Sequence, residues 1–303
     1  MSNPPIKNVC VVGSGFMGSQ IALQCAVYGY HVSMHDVSQT SLRRCAAEQA
    51  SMLDEQIEAG VVSADRRQTI QDRIQFTGSL SEAAIAADLV IEAAREDLDV
   101  KREVFQALDG ICAPHAILVT NSSSLRVSRI ESATNRPDKV LNTHFCQAVW
   151  KHPFVELMRG TTTSEETLQA VREFAGSIGL VPILVRRQVT GCILARIWRA
   201  VKKEALHLVD SGVATPEDVD RTWMIAMEAP LGPFILMDRI GLDVIRDIEM
   251  VYHEESGDES DAPPKVLLEK IEKGELGVKT GKGFYTYPNP AYESPEFLRE
   301  ASP

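Results

Sequence analysis

Along the chain the hydrophobic positions keep two different rhythms, and the change between them falls near residue 188. Before it, short apolar runs recur at Asn8–Val12, His31–His35, Asp88–Ala93, Ala116–Thr120, Val140–His144 and Val181–Val185. Between most of them lie segments with apolar residues at helical spacing, such as Met17–Tyr28, Val100–Leu108 and Glu165–Ile178. Strands buried on both faces read as continuous apolar runs, and parallel strands need helical crossovers between them. The pattern therefore predicts an α/β unit over residues 1–187, a Rossmann-type, doubly wound and mostly parallel sheet. Pro153–Leu157 follows His144 too closely to leave room for a helix, so it predicts an antiparallel strand after a hairpin-like turn. Residues 38–73 exceed an ordinary crossover and carry Met52, Ile57, Val61 and Val62 at helical spacing. With a break at Ala59-Gly60, they predict an arm of two helices projecting from the sheet.

After Thr190 strand-like runs almost vanish. Helices are predicted over Ile193–Leu208, Pro216–Met227 and Leu242–Val251, the second opened by a Thr215 cap, a proline at its first position and acids in its first turn. Residues 188–303 thus predict an all-helical domain. Its apolar residues Ile193, Ile197, Leu206 and Leu208 predict a face for a second copy.

Composition narrows the function without naming it. A chain of 303 residues with 44% hydrophobic and 24% charged residues suits two soluble domains. A net charge of −11 argues against nucleic acid or an anionic membrane as partner, and no apolar run approaches the roughly twenty residues that span a bilayer. The start of the chain lacks a secretory apolar segment. Cysteines 10, 25, 45, 112, 146 and 192 show no ligand-like spacing and predict reduced thiols in a cytoplasmic protein, with no metal site.

The candidate chemistry begins where the first strand ends. Gly13-Ser-Gly15-Phe16-Met17-Gly18 is a G-x-G-x-x-G turn, and Asp36 follows Gly18 by eighteen residues at the end of the second strand. Gly13 permits the tight turn, Gly15 lets backbone approach a pyrophosphate, and Gly18 brings helix and sheet together. The phosphates would meet the helix N-terminus at Phe16 and Met17. Asp36 would accept hydrogen bonds from ribose hydroxyls and repel a 2′-phosphate, so the expected cofactor is NAD.

Three further polar residues sit in or beyond strands: Ser123 in Thr-Asn-Ser-Ser-Ser-Leu, His144 at the end of Val140–His144, and Glu156 in Pro-Phe-Val-Glu-Leu. Catalytic groups in open α/β sheets collect at the carboxyl ends of strands. A histidine oriented by a carboxylate suits proton exchange with an alcohol near neutral pH. Taken singly, the serines also fit a turn and helix cap, the histidine a structural hydrogen bond, and the glutamate a solvent-facing edge position. Taken together on a dinucleotide fold, they favour catalysis.

These runs, with Glu92-Ala-Ala-Arg-Glu96-Asp-Leu-Asp-Val-Lys101, Pro-Leu-Gly-Pro-Phe234, Ile240-Gly-Leu-Asp243 and Lys279-Thr-Gly-Lys-Gly-Phe-Tyr285, resemble the L-3-hydroxyacyl-CoA dehydrogenase family over nearly the whole chain. The resemblance implies that His144 is the general base, that Glu156 pairs with it and that Ser123 bonds the reacting oxygen. It also implies NAD contacts at Glu96 and Lys101, an approach of Lys279 to the cofactor, and a homodimer. The chain departs from the family on the substrate side. His144-Phe-Cys146-Gln-Ala148 replaces a His-Phe/Pro-Phe-Asn-Pro run, and Gly191-Cys192-Ile-Leu-Ala195-Arg replaces one with Phe and Asn at the second and fifth positions. If Cys146, Ala148, Cys192 and Ala195 line one pocket, it is wider and less polar than usual. The substrate is then a CoA thioester, a smaller 3-hydroxy acid, or a non-CoA ketone or imine. Residues 41–76 set five arginines against six acids, a near-neutral surface for a CoA phosphate. The λ-crystallin branch offers the contrasting reading of a weakly active, NAD-binding structural protein.

Overall fold

The computed structural model describes residues 6–299, so the outer ends of both predicted domains lie outside the described residues. The chain divides into two compact units between Ile193 and Leu194, a few residues beyond the predicted boundary.

The first unit is an eight-stranded sheet. Its strands are β1 (Asn8–Val12), β2 (His31–His35), β3 (Ile74–Thr77), β4 (Leu89–Glu92), β5 (Ile117–Thr120), β6 (Val140–Phe145), β7 (Phe154–Arg159) and β8 (Val181–Val185). Their spatial order is β3-β2-β1-β4-β5-β6-β7-β8. All neighbours are parallel except β6 and β7, whose antiparallel pairing sets His144 opposite Glu156. The order reverses between β1 and β4, and at such a switch point the two strand ends diverge and open a crevice for a dinucleotide. Among the described residues, the α-helices lying wholly in this unit are α1 (Phe16–Val27), α2 (Gln39–Glu58), α3 (Arg67–Gln71), α4 (Leu80–Ala84), α5 (Leu98–Ile111) and α6 (Glu165–Ser177).

Alternation along β1 builds a core on each face. Val9 and Val11 join α1, α2 and α6 in one cluster, while Cys10 and Val12 join α4 and α5 in the other. Helix α1 is buried almost all round, which its apolar composition requires. The arm differs from its prediction. Helix α2 buries Leu42, Cys45 and Leu53 in the core and donates Gln49 Nε2 to Ser19 O on α1 at 2.9 Å, so it packs on the unit instead of projecting. The second arm helix shrinks to a 3-10 turn and the five-residue α3. The apolar pattern does not predict strand β3, because Ile74-Gln-Phe-Thr holds only two apolar residues at a sheet edge.

The second unit contains α7 (Ile193–Asp210, from the last residue of the first unit), α8 (Pro216–Ala226), α9 (Pro233–Ile240), α10 (Leu242–Ser256) and α11 (Lys265–Glu272). Thr215 caps α8 by accepting from Asp218 N at 3.1 Å. Two buried aspartates organise the interior. Asp220 accepts from the backbone N–H groups of Phe234 and Ile235 and from the Tyr285 hydroxyl at 2.7, 3.0 and 2.8 Å. Asp238 accepts from the N–H groups of Phe284 and Tyr285 and from the Tyr287 hydroxyl at 2.9, 2.9 and 3.0 Å. These contacts explain both glycine-bearing motifs, since a Cβ on Gly232 would lie 2.4 Å from Asp220 and one on Gly283 2.1 Å from Asp238. Of the residues predicted to face a second copy, Leu206 belongs to this unit's own core, whereas Ile193 and Ile197 are exposed. Leu208, Val213, Trp223 and Met227 line an apolar groove of about 580 Å³. Among the described residues no helix is long and apolar enough to cross a membrane.

Candidate active site

The glycine turn is shaped for a phosphate. Gly13 has φ +106°, where only glycine is unstrained, and donates its N–H to His35 O at 2.8 Å. A Cβ on Gly13 would lie 2.5 Å from Ala93 O, and one on Gly18 would lie 1.9 Å from Gly13 O. Gly15 differs, because its Cβ would meet nothing within 4 Å, so the space over that backbone is free. Helix α1 has Gly15 as its N-cap with no side-chain cap, leaving the N–H groups of the first turn, at Phe16 and Met17, available to an anion. This open cradle fits the pyrophosphate of NAD.

Asp36 is held beside that turn. Its Oδ2 accepts from Ser14 N and Ser14 Oγ at 3.0 and 2.8 Å, and its Oδ1 from Ser38 N at 2.9 Å. Burial pushes the carboxyl up, but the hydrogen bonds from Ser38 and Ser14 prevail and keep it below its ordinary value. It is thus a fixed negative charge at neutral pH, as discrimination against a 2′-phosphate requires.

Glu96 and Lys101 lie at the next strand end, in an ionic cluster in which Lys101 and Glu92 are buried and Glu96 reaches the surface. Lys101, 1% exposed, donates to Glu92 Oε1 at 2.8 Å and lies 3.3 Å from Glu96 Oε2. Glu92 also accepts from Thr120 Oγ1 at 2.6 Å and Ala94 N at 2.7 Å. Glu96 accepts from the hydroxyls of Ser122 and Ser124 and from Ser124 N. Burial raises its carboxyl, and Lys101 together with the serines lowers it further than that, to a net value below the ordinary one. Lys101 therefore acts inside the protein, fixing the two glutamates, and Glu96 ties the serine loop to the end of β4.

The serine loop, β6 and β7 complete a polar chain. Ser123 Oγ lies 3.0 Å from His144 Nε2, and His144 Nδ1 lies 2.9 Å from Glu156 Oε2. His144 and Glu156 are cross-strand partners, whose side chains stand on one face within reach of each other. The glutamate is almost fully buried, while the imidazole keeps an opening to solvent. A carboxylate on Nδ1 fixes that nitrogen as the donor, which leaves the Nε2 lone pair toward Ser123 and whatever lies beside it.

Reasoning from sequence assigns no role to two asparagines and Glu92 that the fold makes part of the site. Asn121 Oδ1 accepts from Phe145 N at 2.9 Å, and Asn142 Nδ2 donates to Ser122 O at 2.8 Å, so each binds the serine loop to the histidine strand. The available signal is a polar residue in or just beyond an otherwise apolar strand. Of the pocket candidates, Cys192 places Sγ 3.9 Å from Asn142 Oδ1. Burial, then the nearby Glu156 charge, pushes its thiol up to about 12. Cys146 is half-buried and raised in the same direction by the same two causes. Ala148 occupies the β6–β7 turn at φ +56°, accepting from Lys151 and His152. Ala195 and Lys279 belong to the helical unit, where Ala195 lies in the first turn of α7 and Lys279 pairs with Asp243 at 2.5 Å. All six cysteines are free thiols. His144, Glu156 and Cys192 each bring a potential ligand atom within 4.8 Å of the others, a grouping made by the fold from distant residues.

An open dinucleotide cradle at the switch point, on the same sheet as a serine–histidine–glutamate chain, defines a pyridine-nucleotide dehydrogenase of the Rossmann type. Residues 8–189 match the model of the 3-hydroxyacyl-CoA dehydrogenase NAD-binding domain, and residues 191–287 match that of the same family's C-terminal domain. The chain belongs to the 3-hydroxyacyl-CoA dehydrogenase family, and NAD is its cofactor. It is 37% identical over 282 residues to a probable 3-hydroxybutyryl-CoA dehydrogenase of Bacillus subtilis, covering 93% of this chain and 98% of that one. Its fold is similar to that of the (S)-3-hydroxybutyryl-CoA dehydrogenase of Ralstonia eutropha, with TM-score 0.88 and 34% identity over 94% of this chain and all of that one. A diketoreductase acting on dicarbonyl compounds is also similar, with TM-score 0.82, 35% identity and the same coverage.

Proposed function

We propose that the protein interconverts a 3-hydroxyacyl compound and its 3-keto form, with His144 as general acid and base. The observation that carries this reading is the Ser123–His144–Glu156 chain, with contacts of 3.0 and 2.9 Å. The Gly13–Gly18 turn, Phe16, Met17, Asp36 and Glu96 would hold NAD, which when bound would supply the acceptor for the carbinol hydride. Lys101 holds Glu96 in place from inside. Ser123 donates to the substrate oxygen and sets it beside His144 Nε2. As the alcohol is oxidised, Nε2 takes its proton, and Glu156 balances the positive charge that forms on the ring. In the reverse direction the imidazolium returns the proton to the developing alkoxide.

The substrate class is a short 3-hydroxyacyl-CoA thioester, by analogy with the Bacillus and Ralstonia relatives, and the setting is fatty-acid metabolism in the cytoplasm. A second reading, reduction of non-CoA dicarbonyl compounds, is favoured by Cys146 and Cys192 on the sheet unit and by the similarity to a diketoreductase. We further propose a homodimer, supported by the exposed Ile197, Val213, Ile225 and Met227 of the helical unit. The test is NADH formation with 3-hydroxybutyryl-CoA and free 3-hydroxybutyrate, beside NADH consumption with a non-CoA diketone. The thioester is expected to exceed the free acid at least tenfold in kcat/KM. Preference for the diketone would select the second reading, and NAD binding without turnover of any would leave the crystallin-like one.

A further inference from the structure

Cys192 has no part in the proton chemistry described above, yet it stands against its central residues. It lies in the short segment after β8, packed with Met158, Val185 and Val189, so the sheet fixes its position. Its Sγ faces Asn142 Oδ1 at 3.9 Å, and Asn142 is anchored in turn to Ser122 O. One ligand atom each from Cys192, His144 and Glu156 falls within a 4.8 Å span, and the cysteine and glutamate are 1% exposed.

Thiolate, imidazole and carboxylate are the donors that hold zinc, at bond lengths of about 2.0–2.3 Å, which put neighbouring ligands of a tetrahedral ion about 3.3–3.8 Å apart. Three atoms already within 4.8 Å can close to that geometry by side-chain rotation. Imidazole and thiolate also select zinc, cadmium or cobalt over magnesium and calcium, which prefer all-oxygen sites. Of the three side chains, His144 is the one that keeps an opening to solvent.

We propose that Cys192, His144 and Glu156 form an inhibitory site for a thiophilic divalent cation, zinc foremost, which shuts off the enzyme by occupying the catalytic imidazole. Binding on the Nδ1 side, which faces Glu156, forms one metal–sulfur, one metal–nitrogen and one metal–oxygen bond; the thiol proton leaves to solvent and the Nδ1 proton moves to Nε2, removing the lone pair that serves as base, with no change of oxidation state. The inhibitory consequence rests on His144 being the general base. The site itself does not.

The experiment uses the full chain after chelator treatment, titrated with cobalt(II) chloride and followed by absorbance, then with zinc chloride followed calorimetrically. One ion is expected to bind per chain, with a near-ultraviolet thiolate-to-cobalt charge-transfer band and at least 100-fold weaker zinc binding in Cys192→Ala. Cys146→Ala should keep the band. Cys192→Ser, nearly isosteric and a poor zinc ligand, replaces the alanine variant if that one melts early. NADH formation should fall to near zero at one equivalent of zinc and return with EDTA, while NAD binding persists. A cobalt complex without the band, a band lost in Cys146→Ala, or equal zinc affinity in wild type and Cys192 variants overturns the site. Intact binding without loss of turnover overturns the inhibition alone.

Discussion

Glu156 in the sheet unit and Asp238 in the helical unit are equally buried, each 1% exposed, and both must offset the cost of a charge removed from water. Glu156 faces the imidazole of His144, a side chain able to take up and give back a proton. Asp238 faces two backbone N–H groups and a tyrosine hydroxyl, none of which changes protonation near neutral pH. In the proposed mechanism the first arrangement prepares a proton transfer, whereas the second decides where a loop lies against a helix. Burial of an acid therefore says little about chemistry until its partner is known. The same contrast explains why the Lys-Thr-Gly-Lys-Gly-Phe-Tyr run, which looks functional, serves through Gly283, Phe284 and Tyr285 as a cradle for Asp238.

Four substitutions can break or sharpen this contrast. His144→Ala should lower kcat by about 10³-fold, within the range for loss of a general base, with NAD affinity retained. Glu156→Gln should lower kcat by about 10²-fold, shift the pH–rate profile and spare NAD binding; unchanged turnover would place Glu156 in the same structural class as Asp238. Asp238→Ala leaves three donors without their acceptor and should cost on the order of 3 kcal/mol, read as a fall in denaturant midpoint. A destabilisation no larger than that of Glu156→Gln would erase the distinction from the other side. The smallest effect concerns Asp220, whose carboxyl burial pushes up to about 6, with the hydrogen bonds from Phe234, Tyr285 and Ile235 acting against that rise. Such a group holds its proton more tightly folded than unfolded, so its contribution is complete below about pH 4 and is lost as pH rises through 6. Relative to Asp220→Asn, the wild type should gain about 1 kcal/mol on going from pH 7 to pH 5. A pH-independent difference between the two would show that the backbone donors outweigh burial.

Much of this can be read from residue pattern alone, and the exceptions share a cause. Strands buried on both faces, such as β1 and β4, declare themselves as apolar runs, and the glycine turn follows directly from what the backbone must do there. The edge strand β3 and the eight-residue helices α9 and α11 are too short or too mixed for periodicity to reveal. In the site, His144 and Glu156 stand out because charged residues inside strands are conspicuous. Asn142 does not, since an uncharged amide carries no such signal, although it joins the serine loop to Cys192. Resemblance assigns Lys101 to the cofactor; only the fold shows that its ammonium is enclosed by Glu92 and Glu96.

The antiparallel step from β6 to β7 has a consequence for how such an enzyme can change over evolutionary time. His144 and Glu156 are opposite one another because the backbone ladder puts them there, with five residue pairs aligned from Leu141–Arg159 to Phe145–Val155. The turn between them, residues 146–153, has no part in setting that distance. It can therefore vary in length and composition while the His144–Glu156 pairing is kept intact. A slip of one residue within either strand would instead leave His144 and Glu156 on opposite faces and abolish the pair at a stroke. Tolerance and intolerance to mutation are thus separated along a single hairpin, which lets new substrates be tried without first losing the chemistry.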